Sequence, residues 1–401
     1  MARVAVVGLG VGYALACCLA EAGYNTVGID INPEAVGNPR MDASTKRLVE
    51  LDHQHRRNIG RLLRLSTDYM LLKNVDQVII CVSTGDEKKL VLGHVEDATR
   101  SCCAVMQGGA TLMVYSTLPF GSSKRIKKTI EDQGLVCDTD IRLVINPLMI
   151  AQGSVAEDFV NPPFVAFGAY SKESAQLAMQ FYSAFIRASS LWKKSMPPMF
   201  VTSPETAELA KLTANAFLCM KMSFANMTAE LCGEVGVNPH ELLRIVGSDW
   251  RIGEKMLKAG YAWGGACFPR DLQSLIETYK GLSVPCPLLN GATESNEWRL
   301  KEPLRRMRQL SIKSGKVLVL GRSYKTNVPM TSGSPSLKLV GILAENGYNV
   351  TTYDPLFDEE AAKPNRAFNV VIVTTPHPQF PALISEQKKN GAVILDYRLP
   401  A

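Results

Sequence analysis

What the 401-residue chain lacks narrows its class before any motif is read. Ten cysteines are present, yet no two are spaced Cys-x-x-Cys and none stands with histidine at zinc-like spacing, so neither a disulfide framework nor a metal centre is expected. Cys17-Cys18 and Cys102-Cys103 are adjacent pairs in apolar or helical segments, which fits reduced thiols in a cytoplasmic protein. No apolar run approaches the roughly 18 residues that a membrane span needs. No charged leader stands ahead of the first strand. The net charge is only +6, and the densest basic stretch is His53-Gln54-His55-Arg56-Arg57. So short a run reads as a solvated or phosphate-facing edge rather than a nucleic-acid groove. What remains, 46% hydrophobic and 20% charged residues, describes a globular chain long enough for two or three domains.

Strand and helix patterns alternate at both ends. Residues 2–7 read as a buried strand, Gly8-Leu-Gly-Val-Gly12 as a turn, Tyr13 to Ala22 as a helix, and Asn25 to Ile29 as a second strand ending on Asp30. Val75 to Val82, Ala110 to Tyr115 and Arg142 to Ile145 read as further strands of a parallel, doubly wound sheet. Ser203-Pro-Glu opens a long helix running to about Gly233, with shorter helices near Pro239 to Val246 and a long one over Ala292 to Ile312. A second α/β unit follows, with strands at Lys316–Leu320, Asn349–Tyr353, Val370–Thr374 and Val393–Leu395. The expected fold is α/β: two Rossmann-like doubly wound parallel-sheet domains (1–200 and 301–401) joined by a central helical domain (201–300).

Strand, glycine-rich turn, helix and acid in that order form a dinucleotide fingerprint. Gly8, Gly10 and Gly12 would let backbone approach a pyrophosphate seated on the helix N-terminus. Asp30 lies 22 positions after Gly8, near the expected distance of about 20, where a carboxylate binds ribose hydroxyls and repels a 2′-phosphate. The cofactor expected is therefore NAD. A glycine-rich turn by itself is also an ordinary tight turn; the flanking strand, helix and acid carry the inference.

Three further segments suggest chemistry. In Glu208-Leu-Ala-Lys211-Leu-Thr-Ala-Asn215, Lys211 and Asn215 share a helix face and would aim an amine and an amide at one point, a means of stabilising an oxyanion. Spacing alone does not separate them from a solvated lysine and an ordinary polar asparagine. Gly264-Gly-Ala-Cys267-Phe-Pro-Arg-Asp271 offers close backbone approach to a thiol, with an acid one turn on. An ordinary thiol needs a neighbouring base or cation to act as a nucleophile, and most lone cysteines are small core residues. Tyr115-Ser-Thr117-Leu-Pro-Phe-Gly121 ends a strand where a hydroxyl would face the crevice above the sheet.

Together these segments resemble the UDP-glucose/GDP-mannose dehydrogenase family over most of the chain. Gly-Gly-Ala-Cys-Phe-Pro-Arg-Asp matches its Gly-Gly-Ser-Cys-Phe-Pro-Lys-Asp motif, and Ala207 to Phe217, Arg251-Ile-Gly and Ser116-Thr-Leu-Pro-Phe-Gly match others in the family's order. Asn146-Pro147 with Gly153, and Gly321-Arg-Ser-Tyr-Lys325 with Ser334-Pro-Ser336, extend the likeness into both outer domains. The resemblance implies oxidation of a sugar C6 alcohol to a carboxylate with NAD, through a thiohemiacetal and a thioester on Cys267. Lys211, Asn215, Asp271 and Thr117 would be the other catalytic residues. Thr84 and Thr117 would join the glycines and Asp30 around the cofactor. Gly264, Phe268, Lys258, Tyr324 and Lys325 would hold a nucleotide sugar, and Arg251 would reach across a homodimer built on the long helix.

The match fails in informative places. Leu148 and Gln152 stand where the family carries carboxylates, one of which helps place the hydrolytic water. Ser332 replaces an arginine expected at the cofactor phosphate, Pro329-Met330 replace acids, and the loop after Ser83-Thr84 shortens to Gly-Asp-Glu-Lys-Lys. Two alternatives stay open: a divergent enzyme with slow or incomplete thioester hydrolysis on an unusual nucleotide-linked alcohol, and a non-catalytic binding relative.

Overall fold

The computed structural model describes residues 3–54, 58–85 and 89–398. Ala2 of the first expected strand, His55, Arg56 and Arg57 of the basic stretch, and Asp86, Glu87 and Lys88 of the loop after Thr84 lie outside the described residues. The chain divides into two compact units, Met1–Thr213 and Ala214–Ala401.

The first unit is built on eight strands: β1 (Arg3–Val7), β2 (Asn25–Ile29), β3 (Leu63–Ser66), β4 (Gln77–Ile80), β5 (Ala110–Val114), β6 (Ile141–Ile145), β7 (Val165–Ala169) and β8 (Met199–Thr202). They lie in the order β3-β2-β1-β4-β5-β6-β7-β8. Every neighbouring pair is parallel except β6 and β7. Period-two alternation decides which layer each side chain joins. Val4 and Val6 of β1 pack with helices Gly12–Glu21 and Lys172–Ala188, while Ala5 and Val7 pack with Gly93–Cys103 and Ser122–Glu131. A parallel sheet covered on both faces explains why the strands read as continuous apolar runs rather than alternating ones.

In the second unit, β9 (Lys316–Leu320), β10 (Asn349–Tyr353), β11 (Val370–Val373) and β12 (Val393–Asp396) form a four-stranded parallel sheet in the order β10-β9-β11-β12. Helix Pro335–Glu345 buries Leu339 and Leu343 on one face, and helix Phe380–Lys389 buries Phe380 and Leu383 on the other. Before this sheet come helices Pro239–Gly247, Phe268–Gly281, Pro287–Leu300 and Glu302–Gln309. The 32-residue helix Pro204–Val235 contains the boundary between the units. Its start follows the expectation: Ser203 Oγ accepts the Thr206 N–H at 3.2 Å, as an N-cap serine does.

Both α/β units build the same turn. Gly8 (φ +93°) donates its N–H to Ile29 O at 2.8 Å, and Asp30 Oδ2 accepts from Leu9 N at 2.7 Å. Gly321 (φ +96°) donates to Tyr353 O at 3.0 Å, and Asp354 Oδ2 accepts from Arg322 N and Ser323 N at 2.7 and 2.8 Å. A positive φ at the strand end frees the next amides to face the acid of the neighbouring strand. The turns then diverge. The first leads straight into a helix at Gly12, whereas the second reaches its helix only at Pro335.

Several elements differ from the sequence-based expectation. β3, β7 and β8 were not expected. The stretch over Ala292 to Ile312 is two helices, broken between Leu300 and Glu302 where Pro303 starts a new first turn. No helix of the described residues is long and apolar enough to cross a membrane.

Candidate functional site

In the first unit, the glycines of the turn do two different things. A Cβ on Gly8 would stand 2.8 Å from Val82 N, and one on Gly12 would stand 2.9 Å from both Cys81 Cβ and Val6 Cγ1, so both are demanded by packing. Gly10 alone is open, with nothing within 4 Å of the same position. Helix Gly12–Glu21 has neither a side-chain cap on its first amides nor an acid in its first turn. Unoffset N–H groups and the positive end of the helix dipole favour an anion there. Half-buried Asp30 holds the turn through Leu9 N and accepts Asn32 N at 2.9 Å. The residues fit a dinucleotide pyrophosphate and ribose.

Thr84 is buried and Thr117 half-buried. The Thr117 loop is pinned on both sides. Ser116 Oγ donates to Val82 O at 2.7 Å, and the N–H groups of Gly121 and Ser123 donate to Glu208 at 2.7 and 2.6 Å. Lys211 is buried in the same unit, one turn beyond Glu208. Leu148 is half-buried and packs against the apolar core cluster that includes Val155 and Phe159. Gln152 is half-buried.

In the second unit, Cys267 caps helix Phe268–Gly281 at its N-terminus, with Pro269 in the first turn. Its thiol is exposed. By contrast, burial pushes the Cys17 thiol up to about 12, and Cys81 and Cys219 higher still. Asp271 N–H donates to Cys267 O at 2.8 Å, fixing the turn that carries both. The Asp271 carboxylate is fully buried. It accepts Asn215 Nδ2 at 2.6 Å on one oxygen and Arg270 Nε at 3.0 Å on the other, with Arg270 NH2 at 2.9 Å. The structure thus brings Asn215 to Asp271 and Asp271 to Cys267.

The two glycines before the thiol are set by close packing. Gly265 (φ +85°) donates its N–H to Gly333 O at 3.0 Å, and a Cβ there would meet the Tyr324 ring at 2.8 Å. A Cβ on Gly264 would meet Gly333 O at 2.4 Å. Burial, and then the neighbouring Cys267, push the Tyr324 phenol up to about 12. Phe268 is half-buried, and Lys258 and Lys325 are exposed. Arg251 is exposed and clasps Asp249 through Nε and NH2. Lys211 and Asn215 are one helical turn apart, but the unit boundary falls between them.

Two residues went unassigned from sequence. Arg270 is adjacent to Asp271 and gave a signal only in the motif. Glu208 meets loop amides 87 and 85 positions away, and nothing local announces that.

A β3-β2-β1-β4-β5-β6 order with a glycine turn and terminal acid at its centre defines the dinucleotide-binding class of α/β proteins. Three family models match the chain: the UDP-glucose/GDP-mannose dehydrogenase family NAD binding domain over residues 2–186, central domain over 205–298 and UDP binding domain over 318–399. The chain belongs to the UDP-glucose/GDP-mannose dehydrogenase family and is an NAD-dependent oxidoreductase. It is 30% identical to the UDP-glucose 6-dehydrogenase of Rhizobium meliloti over 370 residues, covering 90% of this chain and 83% of that one. A UDP-glucose dehydrogenase from Pyrobaculum islandicum superposes with a TM-score of 0.81 at 26% identity, covering 95% and 91% of the two chains. The UDP-D-ManNAc dehydrogenase of Pyrococcus horikoshii gives 0.84 at 26%, covering 99% and 95%.

Proposed function

We propose that this chain oxidises the C6 alcohol of a UDP-glucose-like nucleotide sugar to the uronate, with Cys267 as covalent nucleophile. The observation that carries the reading is the exposed Cys267 thiol at a helix N-terminus, one turn before the buried Asp271–Asn215–Arg270 cluster. Negative charge on sulfur is favoured at that end of a helix.

Two NAD molecules, bound in succession, supply the hydride acceptors, one for each oxidation. Asp271, directly or through a water, takes the proton of the C6 hydroxyl as the alcohol becomes an aldehyde. Cys267 adds to the aldehyde carbon, giving a thiohemiacetal whose oxidation leaves a thioester, and water releases the acid. Lys211 and Asn215 stabilise the oxyanions of addition and hydrolysis, and Thr117 orients the reacting hydroxyl. Gly8, Gly10, Gly12, Asp30 and Thr84 serve the cofactor; Gly264, Phe268, Lys258, Tyr324 and Lys325 serve the nucleotide sugar. The domains that go with this reading are 1–200, 201–300 and 301–401.

Leu148 favours a second, narrower reading. A leucine side chain offers no base to a hydrolytic water, and losing a general base costs about 10²–10⁴-fold in rate. Oxidation then outruns thioester release. A panel of nucleotide sugars with NAD, read by NADH absorbance and product mass, tests both readings. A burst of two NADH per Cys267, which stays acylated, followed by slow turnover supports slow release; steady formation of two NADH per free uronate with no burst and no acyl adduct contradicts it. No NADH with any member contradicts the substrate class.

The proposed assembly is a homodimer. Phe217, Phe224, Met227, Leu231 and Val235 are exposed and recur on one face of the long helix, and in the dimer Arg251 would reach toward the partner. Sedimentation at micromolar concentration reads the state directly, and a monomer contradicts the proposal.

A further inference from the structure

Glu208 is a carboxylate with 0% exposure whose acceptor capacity goes to main-chain amides. Both oxygens are used: Oε2 accepts Gly121 N at 2.7 Å and Oε1 accepts Ser123 N at 2.6 Å. These amides open helix Ser122–Glu131, where Gly121 takes φ +84° and no side chain of the loop caps the helix. Burial raises the Glu208 carboxyl, and the two amides counter that rise. A buried charge is costly unless it is hydrogen-bonded in this way.

The same loop is anchored at its other end by Ser116 Oγ on Val82 O, two residues beyond β4. Ser122 Oγ also donates to Pro119 O at 2.7 Å, closing the turn on itself. Thr117 lies between the two anchors. Lys211 lies one turn along the rigid helix that bears Glu208. One carboxylate therefore joins the loop of Thr117 to the helix of Lys211, all within the first unit.

We propose that Glu208 is a positioning residue that sets Thr117 and Lys211 in register through the amides of Gly121 and Ser123. The proposal rests on the roles given above to Thr117 and Lys211. A misplacement of about 1 Å in a reacting group costs roughly 10²-fold in rate, so a clamp with two short hydrogen bonds has leverage far beyond its own contacts. Glutamine retains one acceptor, and its amide nitrogen must face the other N–H, donor against donor.

The test uses Glu208→Gln and Glu208→Asp in the full chain, with two readouts. Amide hydrogen exchange over 117–124 reads the clamp without reference to activity. Protection of Gly121 and Ser123 falls about tenfold in the glutamine variant, consistent with one lost hydrogen bond to a charged group. Unchanged protection overturns the proposal. Initial rates per folded molecule read its consequence: kcat falls about 10- to 100-fold with KM for NAD within about twofold. Combination with Thr117→Ala then adds no further loss, because both changes remove the same placement. Losses that multiply, or a full rate in the glutamine variant, overturn the proposal. A full rate in Thr117→Ala alone strikes Thr117 from the chemistry and the proposal with it. Should the glutamine variant fail to fold, the aspartate variant keeps the charge, is shorter by one methylene, and must show the same exchange and kcat changes. Lost protection in a chain whose parent turns over no nucleotide sugar marks the functional reading, rather than the clamp, as wrong.

Discussion

Asp271→Asn is nearly isosteric and leaves the helix cap at Cys267 intact, since the main-chain bond from Asp271 N to Cys267 O does not involve the side chain. It removes the charge that Arg270 faces at 2.9 Å and turns one acceptor into a donor. Arg270 and Asn215 both donate into the carboxylate, so whichever way the new amide points, one donor meets another. The Arg270 side chain is only 11% exposed and has little water to turn to. Breaking a buried pair from one side costs about 3–5 kcal/mol, and screening is weak at full burial. We therefore expect the second unit to lose about 3–5 kcal/mol of unfolding free energy in Asp271→Asn. Urea titration followed by tryptophan emission reads this loss, since buried Trp263 reports on the unit that holds Asp271. A shift under about 1 kcal/mol would refute the reasoning, because it would place the carboxylate in high-dielectric surroundings. In folded variant protein, turnover should fall about 10²–10⁴-fold if Asp271 serves as base.

The turn of the first unit makes a sharper contrast. Gly10→Ala has open space around the new methyl, so the thermal midpoint stays put while NAD binding weakens; calorimetry and NADH fluorescence check the two halves. Gly8→Ala must adopt φ +93° and meets Val82 N at 2.8 Å, so it lowers the midpoint by a cost of about 1–2 kcal/mol or more. In the second unit, burial pushes the Asp354 carboxyl up, but hydrogen bonds from His377, the Ser323 and Leu356 amides and the Ser323 hydroxyl outweigh it and hold the group well below the ordinary carboxylate range. A depressed folded value stabilises at pH above the unfolded value of about 4 and loses that contribution as pH falls further. Asp354→Asn should thus destabilise strongly at pH 7 and progressively less below pH about 4, measured by thermal melts across pH; a constant difference contradicts the linkage.

Much of the cofactor half was legible because it is local. Gly8, Gly10, Gly12 and Asp30 lie within one βαβ unit, and the positive φ that calls for glycine at Gly8 follows from the turn itself. β7 and β8 escaped because Val165-Ala-Phe-Gly-Ala and Met199-Phe-Val-Thr are short runs set by long-range pairing, including the antiparallel reversal against β6. Pro269 and Asp271 are first-turn signals of a helix, yet the segment around Cys267 reads as a loop, since its two glycines hide the start. The Asn215–Asp271 bond joins residues 56 positions apart and the Glu208 clamp spans 87. Sequence spacing along one helix pairs Asn215 with Lys211; tertiary packing gives it Asp271.

The central claim is that the Cys267 thiol carries the chemistry, and it rests most directly on one rate. Cys267→Ser should fold as the parent does, because the side chain is exposed and caps no amide of its helix. With NAD and the best nucleotide sugar of the panel, the account predicts that the serine variant loses turnover to the uronate and forms no acyl adduct at position 267. NADH formation by Cys267→Ser at the parent's rate, with uronate as product, would contradict it.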